Sequence, residues 1–175
     1  MAIKTKKEQR GFALFVAVIF MSVMLTFGLA LGSLGYKQQI LASAAIESQH
    51  AFYAADAALE CALYADQQLN LFALPPPSGG PPSVAPTMMC DGISATFPTA
   101  FSNGIISWIG TQWIITMRLS LDSGARCADI TVHKPRSAAD TTYIFSQGYS
   151  VSCATVAAAS SDARFSSRGL NVSYP

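Results

Sequence analysis

The stretch Lys4–Gly35, KTKKEQRGFALFVAVIFMSVMLTFGLALGSLG, decides the fold of this 175-residue chain. It opens with four cations and one acid, and no charged residue then occurs before Lys37. A helix that crosses a membrane needs about 20 predominantly apolar residues. Residues 12–36 are therefore long enough to span a bilayer. Because basic flanks resist translocation, we expect residues 1–11 to stay on the cytoplasmic side.

A cleaved secretory signal is the first alternative to a retained span. Such a signal has an apolar core of about 7–15 residues and then a site of small residues. Ala42-Ser43-Ala44 has the composition of such a site. The apolar run is far longer than a signal core, however, and Lys37 lies between the run and the site. Length therefore favours a retained helix, either as a plain membrane anchor or as something more specialised.

The helix is expected to continue beyond the membrane. Residues 37–74 contain no proline or glycine and many alanines, a composition that favours helix. The triple proline at 75–77 ends it. Residues 12–72 would form one helix of about 90 Å, at about 1.5 Å per residue. Its second half carries an apolar stripe suited to packing on a domain: Leu41, Ala45, Phe52, Ala55, Leu59 and Leu63.

Downstream of the helix, the pattern changes from loop to strand. Residues 75–105 are rich in proline and glycine, which indicates a loop. From Trp113 to Leu121 the apolar period is two, and this predicts a half-buried strand. Three further strands are expected, over 127–133, 141–151 and 168–174, and a loop over Ala154–Ser161. The expected fold class is α+β, a long N-terminal helix packed on a small antiparallel β-sheet head.

These patterns divide the chain into five segments. They are a basic leader (1–11), a transmembrane half-helix (12–36), an amphipathic half of the same helix (37–74), a Pro/Gly-rich loop (75–105) and the β-sheet head (106–175).

The four cysteines all lie beyond the apolar run, at Cys61, Cys90, Cys127 and Cys153. An even number of cysteines on the translocated side of a membrane indicates two disulfides. Their spacing contains no C-x-x-C pair, so zinc is a poor alternative. Three pairings are possible. Neighbourhood in the chain favours Cys61–Cys90, which would tie the helix to the following loop, and Cys127–Cys153, which would join strand regions.

Composition argues against nucleic-acid binding and against catalysis. The formal charge of +1 becomes −2 without residues 1–11, because seven Lys/Arg then face nine Asp/Glu. Such a chain has no basic patch to neutralise phosphates. The two histidines, His50 and His133, have no carboxylate or cysteine at a catalytic or metal-binding spacing. No nucleophile or phosphate-loop motif occurs. We therefore expect no enzyme, no cofactor and no metal.

Two local patterns resemble the type IV pilin-like proteins. The junction Arg10-Gly11-Phe12 resembles a prepilin cleavage site, where a membrane peptidase cuts after the glycine and the new N-terminal residue is methylated. Residues 47–66, ESQHAFYAADAALECALYAD, are similar to the helix that follows the membrane span in PilX-type minor pilins and pseudopilins. Arg168–Tyr174 is similar to the closing strand of those proteins.

The resemblance implies a processed filament subunit. The cut would fall after Gly11, Phe12 would be methylated, and residues 12–36 would pack into the filament core. The implied partners are other pilin subunits, the prepilin peptidase, the inner-membrane assembly platform and membrane lipid. Before assembly the chain would be a single-pass inner-membrane protein with a cytoplasmic N-terminus. After assembly it would lie in a filament at the cell surface.

One departure from the family concerns its assembly charge. Many pilins carry a glutamate at the fifth mature position, and here that position is Val16. No acidic residue occurs between Arg10 and Glu47. An unpaired charge is costly in apolar surroundings, and this chain has no carboxylate to pair with the N-terminal ammonium of a neighbour. In this respect it differs from a bulk filament subunit. In the family the absence of this carboxylate is typical of a tip pseudopilin and of some minor pilins.

Glycines within the apolar run leave three interpretations open. Gly28-x-x-x-Gly32 matches a motif at which transmembrane helices pack closely. In pilins this zone can unwind as the subunit enters the filament, and glycines lower the cost of unwinding. Transmembrane helices also tolerate glycine that has no role.

Three classes of protein fit the sequence. The first is a minor pilin or pseudopilin, of a type IV pilus or a type II secretion-like filament, acting at the tip or in initiation. The second is a permanently membrane-anchored extracytoplasmic binding protein. The third is a binding domain released after Ala44.

Overall fold

The computed structural model describes residues 9–72, 86–96, 105–109, 112–135, 140–158 and 165–175. It confirms the α+β fold class, with a long N-terminal helix and an antiparallel sheet. The chain divides into two compact units, Met1–Ser43 and Ala44–Pro175.

The first unit is described from residue 9 onward and is helical there. Helix α1 begins at Gln9 and ends at Gln67, so all of 11–43 is helix. Two hydroxyl groups of this segment bond to the backbone of the helix itself. The Ser22 hydroxyl donates to the Ile19 carbonyl at 2.8 Å, and the Thr26 hydroxyl donates to the Val23 carbonyl at 2.7 Å. Such local bonds let a hydroxyl lie on an apolar helix without an unsatisfied donor.

The second unit contains the rest of α1. The sequence predicts helix as far as residue 72, and this is wrong for the last residues, because α1 ends at Gln67. After Gln67 the chain turns through Asn70, whose φ is 51°. The Leu69 amide bonds back to the Tyr64 carbonyl at 3.3 Å, and the Leu71 amide bonds to the Ala65 carbonyl at 2.9 Å. Asparagine tolerates this left-handed conformation, so the helix stops here with its last carbonyls paired.

A five-stranded antiparallel sheet forms the body of the second unit, in the order β3-β4-β5-β6-β7. A separate two-stranded hairpin, β1–β2, precedes it. The strands are β1 Met89–Cys90, β2 Ile93–Ser94, β3 Ile105–Ile109, β4 Gln112–Leu121, β5 Arg126–Pro135, β6 Thr142–Tyr149 and β7 Ser167–Tyr174. The longest pairing, β4 with β5, runs from Gln112 opposite Pro135 to Leu121 opposite Arg126.

All four strands expected from the sequence are present, as β4 to β7. Strand β3 was not expected. The prediction of a loop over 75–105 is wrong at the hairpin, because β1 and β2 lie within that stretch. The expected loop over Ala154–Ser161 is wrong for its first part, because helix α2 runs from Cys153 to Ala158. Ser152 caps α2, with its hydroxyl accepting the Thr155 amide at 3.3 Å, and alanine then favours the helix.

The core lies between an alanine face of α1 and one face of the sheet. Ala54, Ala58, Ala62 and Ala65 of the helix belong to the same buried cluster as the apolar side chains of the strands. The sheet supplies the bulk of the cluster: Trp113, Ile115, Met117, Leu119, Ile130, Val132 and Ile144. Small residues on one side and large ones on the other allow a short distance between helix and sheet.

Helix α1 lies very close to the sheet at Gly148 of β6. A Cβ atom added there would lie well inside van der Waals distance of the Ala51 carbonyl oxygen and the Ala55 amide nitrogen, and 3.0 Å from the Ala54 carbonyl carbon. Two residues away, the buried Ser146 hydroxyl donates to the Ala55 carbonyl at 2.7 Å. The helix backbone therefore rests directly on β6.

A buried carboxylate joins the end of α1 to strands β5 and β7. Asp66 is 5% exposed and accepts two hydrogen bonds from the Lys134 ammonium, at 2.6 and 2.8 Å. The Tyr174 hydroxyl donates to the same carboxylate. Burial raises the pKa of Tyr174, and its bond to Asp66 raises it further. This cluster connects α1, β5 and β7 through one side chain.

Candidate functional site

The most prominent surface of the described chain is the apolar part of α1. Every large hydrophobic side chain between Phe12 and Tyr36 is exposed, with Phe12 at 74%. Within the described residues, α1 is the one helix long and apolar enough to cross a membrane. Soluble proteins rarely expose an apolar surface of this extent. This segment therefore needs lipid or other protein around it.

The expected processing residues lie at the start of this surface. Gly11 is exposed within α1, and a Cβ atom added there would have no neighbour within 4 Å. Phe12 follows it with its ring exposed. The leader 1–8 lies outside the described residues. Among the described residues, apart from its chain neighbours and the helix backbone around it, nothing lies close to Gly11.

The other residues predicted for the assembly helix lie along the same exposed surface. Val16 is 48% exposed. Gly28 and Gly32 are helical, and a Cβ atom at either would meet nothing within 4 Å. A helix that places two glycines one turn apart on an open face offers a shallow surface for another helix. Unwinding at these glycines stays a prediction.

The two disulfides join the pairs favoured by neighbourhood in the sequence. Cys61–Cys90 connects α1 to β1, with 6.2 Å between the Cα atoms. Cys127–Cys153 connects β5 to α2, with 4.8 Å between the Cα atoms. No cysteine is free. Each bond fastens a short peripheral element to the helix or to the sheet, which suits an oxidising compartment.

The sheet face that points away from α1 carries a second polar cluster. The Arg118 guanidinium donates two hydrogen bonds to the Asp129 carboxylate, both at 2.7 Å. The Tyr149 hydroxyl donates to Asp129 at 3.2 Å. Burial and then the Asp129 charge raise the pKa of Tyr149 from 10.0 to about 12, and the bond to Asp129 raises the pKa of Arg118. These groups satisfy one another, as in a structural cluster.

A groove of about 480 Å³ opens beside α1 in the second unit. Its lining comes from three separate parts of the chain: His50, Tyr53, Ala54 and Ala57 of α1, Asp91 of the β1–β2 turn, and Leu121, Asp122 and Arg126 around the β4–β5 turn. The sequence indicates no role for His50 and does not predict this groove. No periodicity or spacing could have shown it, because the two turns meet α1 only in the folded sheet.

The two histidines lie on different elements of the second unit. His50 lies in the groove, and His133 lies on β5 opposite Ile114 and Tyr143, on the sheet face away from the core. Across the described ranges, no three His, Cys, Asp or Glu side chains come together as a metal site would require.

Comparison with protein-family models, with curated proteins and with solved structures finds no match.

Proposed function

We propose that this chain is a minor pilin or pseudopilin, a structural subunit of a type IV pilus or a type II secretion-like filament. The leader 1–11 would be removed after Gly11 by a prepilin peptidase. The exposed helix segment 12–36 would then leave the membrane and pack among the helices of other subunits. The β-sheet head would lie at the filament surface.

The observation that carries this proposal is the exposed apolar surface of 12–36. A helix of this length and composition is stable in a lipid bilayer, and the hydroxyl groups of Ser22 and Thr26 already bond to carbonyl groups of the helix. In a bundle of helices the same side chains would be covered by neighbouring subunits. The same surface would thus suit both the lipid bilayer and the filament core. A subunit that moves from the membrane into a filament requires such a surface.

The second support is the combination of that helix with the head. A long apolar helix and a small antiparallel sheet are compatible with a pilin-like shape. The junction Gly11-Phe12 and the block 47–66 resemble the pilin family at the expected distance from each other. In the structure, all the alanines of 51–65 except Ala57 are buried, which explains why small residues recur in that block.

The third support concerns a minor role at the tip or in initiation. In many pilins a carboxylate near the N-terminus pairs with the ammonium group of a neighbour. Here Val16 takes that position, and α1 has no acidic residue before Glu47. A subunit without this carboxylate lacks the contact that recruits the next subunit in a uniform shaft.

Processing and assembly test the proposal together. The chain is expressed with a prepilin peptidase, and the N-terminus is read by mass spectrometry of tryptic peptides. We expect cleavage after Gly11 in the wild type and none in Gly11→Ala. Gly28→Ala is the matched control, because it makes the same chemical change at another open position of α1 and should leave cleavage intact.

Sedimentation of sheared filaments then tests assembly. The cleaved protein should be found with the filament fraction, and Gly11→Ala should stay in the inner membrane. If the wild type keeps an intact N-terminus in the presence of active peptidase, the chain is a permanent membrane anchor. If its N-terminus is Ala45, the chain is a secreted domain. Either result contradicts the proposal.

A further inference from the structure

The groove beside α1 has no role in the filament proposal and has the features of a recognition site. Its floor is apolar, with Ala54 5% and Leu121 7% exposed. The Tyr53 ring stands at its edge and is 66% exposed. A volume of about 480 Å³ lies in the range of about 300–1,000 Å³ at which clefts take up ligands. The groove is therefore large enough for a short segment of a partner.

The charges at the rim indicate which chemistry fits. Asp91 and Asp122 lie on opposite turns, and among the described residues neither carboxylate forms an ion pair or a side-chain hydrogen bond. Arg126 also lines the groove, and its guanidinium donates to the Ser150 carbonyl at 2.9 Å. Because this carbonyl is a neutral acceptor, the positive charge of Arg126 stays in the groove. Two aspartates against one arginine leave the lining with a net negative formal charge above an apolar floor, with an aromatic ring beside them.

We infer that this groove binds a protein segment that carries a lysine or arginine side chain. The aliphatic stem of that side chain would lie on Ala54 and Leu121, as long basic side chains do on apolar surfaces. Its charged end would reach Asp91 and Asp122, and the Tyr53 ring would add a cation–π contact. A metal ion fits less well, because calcium takes about six to eight oxygen ligands and this rim offers two carboxylates.

The inference does not rest on the filament proposal. A chain that retained residues 1–11 would have the same groove, because every lining residue belongs to the second unit. The two proposals therefore fail by different observations. Processing at Gly11 tests the first, and binding at the groove tests the second.

The test uses the full-length chain in lipid nanodiscs, labelled for NMR. The probe is the peptide acetyl-Gly-Ala-Arg-Ala-Gly-amide, with norleucine and glutamate versions as matched controls. We expect the arginine peptide to shift the amide signals of Tyr53, Ala57, Gly92 and Gly124. The norleucine and glutamate peptides should leave them unchanged.

Two substitutions remove the charge while keeping the turns. Asp91 and Asp122 have φ of 52° and 53°, a conformation that asparagine also adopts readily. Asp91→Asn with Asp122→Asn should weaken binding about threefold to tenfold, as expected for the loss of two partly exposed ion pairs. Asp140→Asn, an exposed acid outside the groove, should change nothing. Tyr53→Ala should also weaken binding, whereas Tyr64→Ala, on the same helix, should not.

Three results would overturn the inference. One is equal binding of the norleucine peptide, which would make the groove a general apolar site. Another is an equal loss of binding in Asp140→Asn, which would mean non-specific charge attraction. The third is a dissociation constant weaker than about 1 mM for the arginine peptide in the wild type.

Discussion

Gly148 determines how closely α1 approaches the sheet, and its substitution is the sharpest test of the fold. A Cβ atom at this position would overlap the backbone of α1 at Ala51 and Ala55. The overlap is with a carbonyl oxygen and an amide nitrogen, so no side-chain rotation can relieve it. Gly148→Ala must therefore move the helix away from β6 or distort the strand.

The cost follows from what the movement disturbs. Overpacking a core costs about 1–3 kcal/mol when side chains can adjust, and here the clash is between backbones. Displacement of α1 would also lengthen the bond from the Ser146 hydroxyl to the Ala55 carbonyl, and such a buried bond is worth about 1 kcal/mol. We expect a loss of about 3 kcal/mol in the free energy of unfolding. For a unit of this size, that corresponds to a Tm lower by roughly 10 °C.

The assay is thermal and denaturant unfolding of the full-length chain in detergent, followed by circular dichroism with the disulfides intact. Gly169→Ala is the matched control, because Gly169 lies on the neighbouring strand β7 and its added Cβ would meet only the Ser146 carbonyl oxygen, at 3.9 Å. That variant should lie within about 0.5 kcal/mol of wild type. If Gly148→Ala were as stable as Gly169→Ala, the close approach of α1 to β6 would be wrong.

Three further predictions concern the polar clusters and the disulfides. Burial raises the pKa of Tyr149 from 10.0 to about 12, so the unfolded chain loses this proton at a lower pH than the folded chain. The free energy of unfolding should therefore fall as the pH rises from 10 to 12, and it should fall less steeply in Tyr149→Phe. Denaturant titration across that pH range measures both. Asp66→Asn should lower the free energy of unfolding by about 3 kcal/mol, since it leaves the Lys134 ammonium without its anion, and an effect below about 1 kcal/mol would refute the buried pair. Replacing Cys127 and Cys153 together by serine should cost about 3 to 4 kcal/mol in oxidised protein, because their bond closes a 26-residue separation. As the control, the variant and the wild type should be equally stable when both are fully reduced, since Cys61–Cys90 is then open in each.

The elements that could be predicted from sequence are those with a long, uniform pattern. The apolar run after Arg10 and the alanine-rich stretch after Lys37 contain no proline, so together they predict a single long helix. Strict alternation from Trp113 to Leu121 predicted β4. The cysteine pairs followed from neighbourhood, because each joins elements that are close along the chain.

What could not be predicted depends on contacts between distant residues. The hairpin strands β1 and β2 have two residues each, too few for a period to appear. Helix α2 is short, and its start depends on the Ser152 cap. The role of Gly148 requires knowledge of which helix atoms lie above it. The groove forms only when the turns at Asp91 and Asp122 come to the same side of α1.

The N-terminus of the mature protein tests the central claim most directly. Protein purified from cells with an active prepilin peptidase is digested, and its N-terminal peptide is identified by mass spectrometry. The account predicts a peptide that begins at Phe12 and carries one added methyl group. A peptide that begins at Met1 or Ala2, or one that begins at Ala45, would contradict it.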